Sequence, residues 1–177
     1  MLLVALFQSC QKETVNTSAP GTKIKLSNTS VSARDTISDS GSFKIKLLQD
    51  SAVVDETLLY FNHKASPAYL MREDACYLQG FGGGSLSSIS QDGVNCAIQK
   101  LPFYSGMGIR LNIETKNSDD FILQLSYQNK MPEGMGIWLK DSYKKDSINI
   151  RNGNYALHID KTDTASFGAW RFKVILR

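Results

Sequence analysis

From Phe43 onward, hydrophobic and polar residues trade places at every second position. Phe43, Ile45 and Leu47 alternate with Lys44 and Lys46, Ile109, Leu111 and Ile113 with Arg110, Asn112 and Glu114, and Phe121, Leu123, Leu125 and Tyr127 repeat the period. A two-residue period belongs to β-strands with one face on a core and the other in water. Further strands are predicted over 23–26, 57–61, 75–79, 94–99, 137–140, 147–150, 155–159 and 170–176. Between them fall turn signals: Asp39-Ser40-Gly41, Gln91-Asp92-Gly93, Asn117-Ser118-Asp119, Pro132-Glu133-Gly134 and Asn152-Gly153-Asn154. No window of a dozen residues carries a helical stripe.

Short strands at this density of turns predict an all-β, antiparallel fold and exclude alternating α/β units. A barrel and a jelly roll share this pattern. A two-sheet, jelly-roll-like β-sandwich is preferred, because roughly ten strands divide naturally into two sheets packed about 10 Å apart. Asn152-Gly153 is the clearest hairpin signal, since both residues tolerate positive φ and the runs INI and YALHI flank it.

Composition adds limits. The chain has 177 residues, 42% hydrophobic and 21% charged, enough apolar material for one ordinary domain core. Its net charge is +3, with no dense Lys/Arg run, so nucleic acid is not an expected partner. Residues 47–129 hold more acids than bases and 130–177 the reverse, a mild polarity that names no ligand.

The N-terminus follows another pattern. MLLVALF is apolar without interruption and stops at Gln8-Ser9-Cys10, after which QKETVNTSAPGT is polar and poor in core-forming residues. A secretory signal has a basic first region and an apolar stretch of roughly 7 to 15 residues. The basic region is missing here, so an upstream start is expected. Beyond this segment no run of about 18 apolar residues exists to make a transmembrane helix.

An apolar run ending in Ser-Cys before a polar tail resembles the signal of a bacterial lipoprotein, and LFQSCQKE resembles those of Bacteroidota in particular. Gln8 and Phe7 depart from the small and branched aliphatic residues of the strict lipoprotein pattern. The resemblance implies cleavage before Cys10 and acylation of that residue as lipid attachment site, where several acyl chains give stable membrane association. It divides the chain into a signal remnant (1–9), a lipidated tether (10–22) and a β-domain (23–177). Lys12-Glu13 resembles the short charged signals that send some such lipoproteins outward. The implied location is the outer membrane, on its periplasmic or cell-surface face.

A second resemblance covers about 55–177. Leu139 and Asp141, then Gly153 and Tyr155, then Phe167-Gly168 and Arg171-Phe172 match the closing hairpins of β-sandwich modules in large secreted proteins of Bacteroidota. Those modules usually precede a type IX sorting domain, which a lipid anchor would replace. They generally have no assigned activity, so the likeness speaks to fold more than to function.

Candidate chemistry is sparse. The two histidines, His63 and His158, are far apart and show no metal-ligand spacing. His158 lies on the polar phase of YALHID. GFGGGS, from Gly80 to Ser85, lacks the Lys-Ser/Thr pair and the helix of a phosphate loop and reads as a flexible connection. Tyr104-Ser105-Gly106-Met107-Gly108 lacks the first glycine of a nucleophile elbow. Cys76 and Cys96 fall in predicted strands on either side of the Gly-rich stretch, so they are either a cross-strand disulfide or two buried thiols.

Aromatic residues are the basis for a ligand. A flat exposed ring stacks on the apolar face of a sugar, and Trp138 and Tyr143 are the candidate ligand-face aromatics. Trp170 shares its phase with Phe172, Val174 and Leu176 and is expected in the core. Asp119, Asp120, Asp160 and Asp163 could supply oxygens to a structural Ca²⁺, or be solvated turn residues; no other metal or cofactor is expected. These features favour a non-catalytic envelope lipoprotein acting as a surface binding or adhesion module for a glycan or a partner protein. The alternative is a structural accessory subunit with no soluble ligand, and a glycan-active hydrolase ranks third.

Overall fold

A computed structural model describes residues 40–80 and 82–177. Cys10, the tether and the strand expected at 23–26 lie outside the described residues. The strands are β1 (Ser40–Gln49), β2 (Ala52–Asn62), β3 (Ala75–Cys76), β4 (Gly84–Ile89), β5 (Asn95–Leu101), β6 (Gly108–Thr115), β7 (Asp119–Asn129), β8 (Ile137–Asp141), β9 (Asp146–Asn149), β10 (Asn154–Ile159) and β11 (Phe172–Leu176). The helical pieces among the described residues are two 3-10 turns, Ile150–Asn152 and Thr164–Ser166. The fold is all-β.

Alternation does what its period predicts. Phe43, Ile45 and Leu47 of β1, Ile109, Leu111 and Ile113 of β6, and Tyr155, Leu157 and Ile159 of β10 all turn inward into one hydrophobic cluster. Phe43, Phe61 and Phe103 stack through it with centroid spacings of 5.3 Å, within the range in which tilted aromatic pairs attract.

The strands follow one hydrogen-bonded path, β10-β7-β1-β2-β5-β4-β6-β11-β8-β9, with β3 added on β5. This makes a mixed, nearly closed, barrel-like sheet, which differs from the expected antiparallel two-sheet sandwich in two respects. First, β2 and β5 run parallel, from Leu58 opposite Ile98 to Phe61 opposite Leu101. The chain leaves β2, returns through residues 63–94 and so enters β5 from the end where β2 began. Second, β5 pairs with β4 at Asn95 and Cys96 and with β2 from Ile98 to Leu101. One strand thereby ties together groups that would otherwise be separate sheets.

β4 is the strand that periodicity does not predict. SLSSIS is buried along its whole length, from Ser85 to Ser90, and its small side chains find partners: Ser85 Oγ donates to Glu114 O at 3.3 Å and Ser88 Oγ to Cys96 O at 3.3 Å. Gly84, which opens it, shows why the Gly-rich stretch is more than a connection. A Cβ there would lie 3.0 Å from Phe121 Cε1 and 3.1 Å from Leu47 Cδ2, tighter than ordinary van der Waals contact.

Asn152-Gly153 is not a hairpin turn. β9 pairs with β8, and β10 pairs with β7. Gly153 is extended, with φ −163°, and needs no left-handed freedom. The segment carries the chain from one end of the strand path to the other. Asn149 caps the 3-10 turn by accepting from Arg151 N at 3.0 Å. The Arg151 guanidinium donates to the carbonyls of Pro132, Glu133, Met135 and Met131, binding the 130–136 loop beside this seam.

Candidate functional site

Three strands and two turns build a depression of about 410 Å³. β5 contributes Gln99, β6 contributes Arg110, the β4–β5 turn contributes Ser90 and Gln91, and the segment between β5 and β6 contributes Tyr104 and Met107. β4 positions both flanking strands, because Ile89 stands opposite Asn95 on one side and Arg110 on the other.

The turns are held firmly. Ser90 N donates to Val94 O at 3.0 Å, Ser90 Oγ to Asp92 Oδ1 at 2.7 Å, and Gln91 N to Pro67 O at 2.9 Å. Gly106 N donates to Leu176 O at 2.7 Å and Leu176 N to Met107 O at 3.1 Å, fastening the Tyr104–Met107 segment to β11.

Gln99 stands out chemically. It is 1% exposed, and neither Oε1 nor Nε2 has a hydrogen-bond partner among the described residues. Buried polar groups are nearly always paired, and each unmet donor or acceptor costs about 1–3 kcal/mol. Around this amide lie apolar walls, the Tyr104 ring, 43% exposed, and Arg110. The Arg110 guanidinium sits 4.8 Å from the Trp170 ring centroid.

Trp170 is 79% exposed, which corrects its expected core position. β11 starts only at Phe172, and Gly168, in the left-handed region at φ +85°, turns the chain just before it. Strand parity does not extend through such a turn, and Arg171 takes the inward place instead.

The expected ligand-face aromatics do not share a site. Trp138 is half-buried in β8 with the Arg177 guanidinium 4.3 Å from its ring centroid. Tyr143 lies past the other end of β8, its ring 4.9 Å from the Arg171 guanidinium. A hydrogen bond to Asp163, and that carboxylate's charge, raise the Tyr143 pKa.

Beside Tyr143 is a buried cluster that residue patterns did not announce. Arg171 is 2% and Asp141 0% exposed. Arg171 Nη2 donates to Asp141 Oδ2 at 2.9 Å and Nε to Oδ1 at 3.1 Å, while Nη1 donates to His158 O at 2.8 Å and to Ser166 O. Tyr155 Oη donates to Asp141 Oδ2 at 3.0 Å. Burial alone would raise the Asp141 pKa. Hydrogen bonds from Arg171 and Lys144 N, with the Arg171 charge and the Tyr155 hydroxyl, outweigh it and hold the carboxyl below the usual range. Burial and the bond to Asp141 push the Tyr155 phenol up. Every polar group here is engaged within the cluster, which locks β8, β10 and β11 together.

A second depression, of about 420 Å³, is lined by Leu48, Asp50, Asp120, Lys144 and His158. Three of its polar side chains are already partnered: His158 Nδ1 lies 2.8 Å from Asp120 Oδ1, and Lys144 Nζ donates to Ala156 O at 3.3 Å. Unmet hydrogen bonding favours the depression over Gln99.

The four candidate calcium carboxylates have other engagements. Asp119 accepts from Gln49, Asp120 faces His158, Asp160 accepts from Thr162 N at 2.8 Å and Asp163 from Ala165 N at 3.0 Å. The Thr162 hydrogen bonds lower the Asp160 pKa. Among the described residues no group of three or more His, Cys, Asp or Glu side chains is placed to hold a metal ion. Cys76 and Cys96 stand opposite each other across β3 and β5. Among the described residues no helix is long and apolar enough to cross a membrane.

Gln99 was missed because AIQKL fits either strand phase: Ile98 is 37% exposed and Gln99 faces inward with Leu101. A polar amide in phase with Leu101 was the available signal. No protein-family model, curated protein or solved structure matches this chain.

Proposed function

We propose that this chain is a non-catalytic, lipid-anchored protein of the bacterial cell envelope, resembling the Bacteroidota lipoproteins, and that its β-domain binds a glycan over Gln99. The anchor and the outer-membrane location rest on the Ser9-Cys10 pattern and the polar segment after it. Within this proposal the domain is related to jelly-roll sandwiches, with β10-β7-β1-β2 and β4-β6-β11-β8-β9 as the two faces that β5 joins.

The observation that carries the ligand is the unmet, buried amide of Gln99, one of the residues that line the depression. An amide presents a donor and an acceptor side by side, which matches neighbouring sugar hydroxyls or an N-acetyl group, each able to donate and accept. Arg110 adds a fork of donors at the rim. Tyr104 and the Trp170 ring beside Arg110 offer flat apolar faces of the kind a pyranose stacks upon. A partner protein is the second reading, favoured by the exposure of Leu78 at 84% and Met71 at 72%.

The test is an oligosaccharide panel probed with the full chain, followed by calorimetry on any hit. A bound sugar whose affinity drops tenfold or more in both Gln99→Met and Arg110→Ala, while Trp138→Ala and Tyr143→Ala retain it, supports the assignment. A hit unaffected by the first pair, or no hit from a folded protein, overturns it. The anchor is checked separately by metabolic labelling with a fatty-acid probe: label on wild type and none on Cys10→Ala is expected, and an unlabelled wild type removes it.

A further inference from the structure

We infer that Cys76 and Cys96 are a cross-strand disulfide site, closed when the folded protein meets a thiol-oxidising catalyst or glutathione disulfide. The inference stands on strand register and is independent of the ligand reading. Cys76 and Cys96 are Cα partners in the antiparallel pairing of β3 with β5. The backbone bond beside them, Tyr77 N to Asn95 O at 2.8 Å, joins the residue after one cysteine to the residue before the other. That pattern belongs to a non-hydrogen-bonded pair, in which Cα atoms lie about 4.5 Å apart with side chains on one face of the sheet. The separation falls within the disulfide range of about 4.4–6.8 Å. The irregularity between Ala75 and Cys76 sets this register: Ala75 faces Ile98, the extra residue Ala97 is skipped, and Cys76 faces Cys96.

Burial assigns the order of events. Cys96 is 0% exposed and Cys76 is half-buried, so the external oxidant reaches Cys76 first. When the pair is reduced, the Cys76 thiolate attacks one sulfur of the oxidant's disulfide, forming a mixed disulfide and expelling the other sulfur as thiolate. Cys96 then loses its proton and attacks the Cys76 sulfur, and the second oxidant thiolate leaves. Two protein thiols surrender two electrons and two protons; one oxidant disulfide becomes two thiols.

The segment so closed, 77–95, includes β4 and the turn residues Ser90 and Gln91 on the wall over Gln99. A disulfide at its base restrains that arm in the unfolded chain and limits its local opening in the folded one.

Glu73 to Lys100 contains both cysteines and no internal Lys or Arg, so a tryptic digest isolates the pair on one peptide. A Cys10→Ala chain, verified as folded, is equilibrated with glutathione disulfide and a thiol oxidoreductase, alkylated and digested. The expected peptide carries no alkyl group and is lighter than the reduced peptide by two hydrogens. Amide exchange across 77–95 should slow on oxidation and recover on reduction, and Cys76→Ser should show no such response. Two alkyl groups on the peptide, glutathione retained on Cys76, or a link that forms only after unfolding in urea would each overturn the site.

Discussion

Asp141 and Arg171 form an ion pair whose two side chains are fully buried, and that burial has an energetic consequence. Removing one partner of a buried, hydrogen-bonded ion pair leaves an uncompensated charge and costs about 3–5 kcal/mol. Asp141→Asn should lower stability by about that amount in chemical denaturation. The pH dependence follows from the depressed Asp141 pKa. A carboxyl with a lower pKa in the folded state stabilises fully above its unfolded value, near pH 4, and loses that contribution as pH falls through the folded value. The wild-type denaturation midpoint should therefore fall with acidification below about pH 4, and Asp141→Asn should show a shallower fall there. Tyr77 gives the opposite window. Burial first, then the hydrogen bond and charge of Asp55, push its phenol up to about 12. Its contribution is complete below the unfolded value, about 10, and is lost as pH rises through the folded one.

At the scale of elements, β4 shows what small residues do in a crowded place. Serines and Gly84 let this strand pass close to Leu47 and Phe121, and Asp55 Oδ2 ties it down by accepting from Leu86 N at 2.7 Å and Tyr77 Oη at 2.6 Å. Gly84→Ala should destabilise by about 1–3 kcal/mol, the usual cost of overpacking a filled core. Gly80→Ala, where a Cβ would meet nothing within 4 Å, should be neutral or slightly stabilising in the same thermal melts. Equal losses at both positions would mean that the glycines serve the chain's flexibility instead. The serine strand was illegible to periodicity for the same reason that it fits: serine is a poor marker of burial, and its hydroxyl is satisfied only once Glu114 O and Cys96 O are brought beside it.

For the whole molecule, the seam between β9 and β10 is where the barrel-like sheet nearly meets itself. Arg151 gathers four loop carbonyls there, an arrangement a shorter or uncharged side chain cannot reproduce. Arg151→Ala should speed hydrogen exchange in 131–136 and in 150–159 together while leaving β1 and β2 protected. Faster exchange throughout would show that the seam opens only with global unfolding.

Alternation along the chain determined the strands of β1, β6, β7 and β10, the all-β class and the inward faces of β1, β6 and β10, because strand periodicity is local and each residue's phase is set by its immediate neighbours. In β7 it holds for Phe121 and Leu123, while Tyr127 is 49% exposed because the β1–β7 register shifts between Leu125 and Tyr127. It also kept His158 on the outer face. Everything that depended on a distant partner was decided by tertiary structure. Asn152-Gly153 has the chemistry of a hairpin, but β9 and β10 find better partners in β8 and β7. Trp170 has the phase of a core residue and the position of a turn. Gln99 and Ile98 compete for one inward place, and the packing of β5 between β2 and β4 gives it to the amide, since only the assembled sheet defines which side of a short strand is inside.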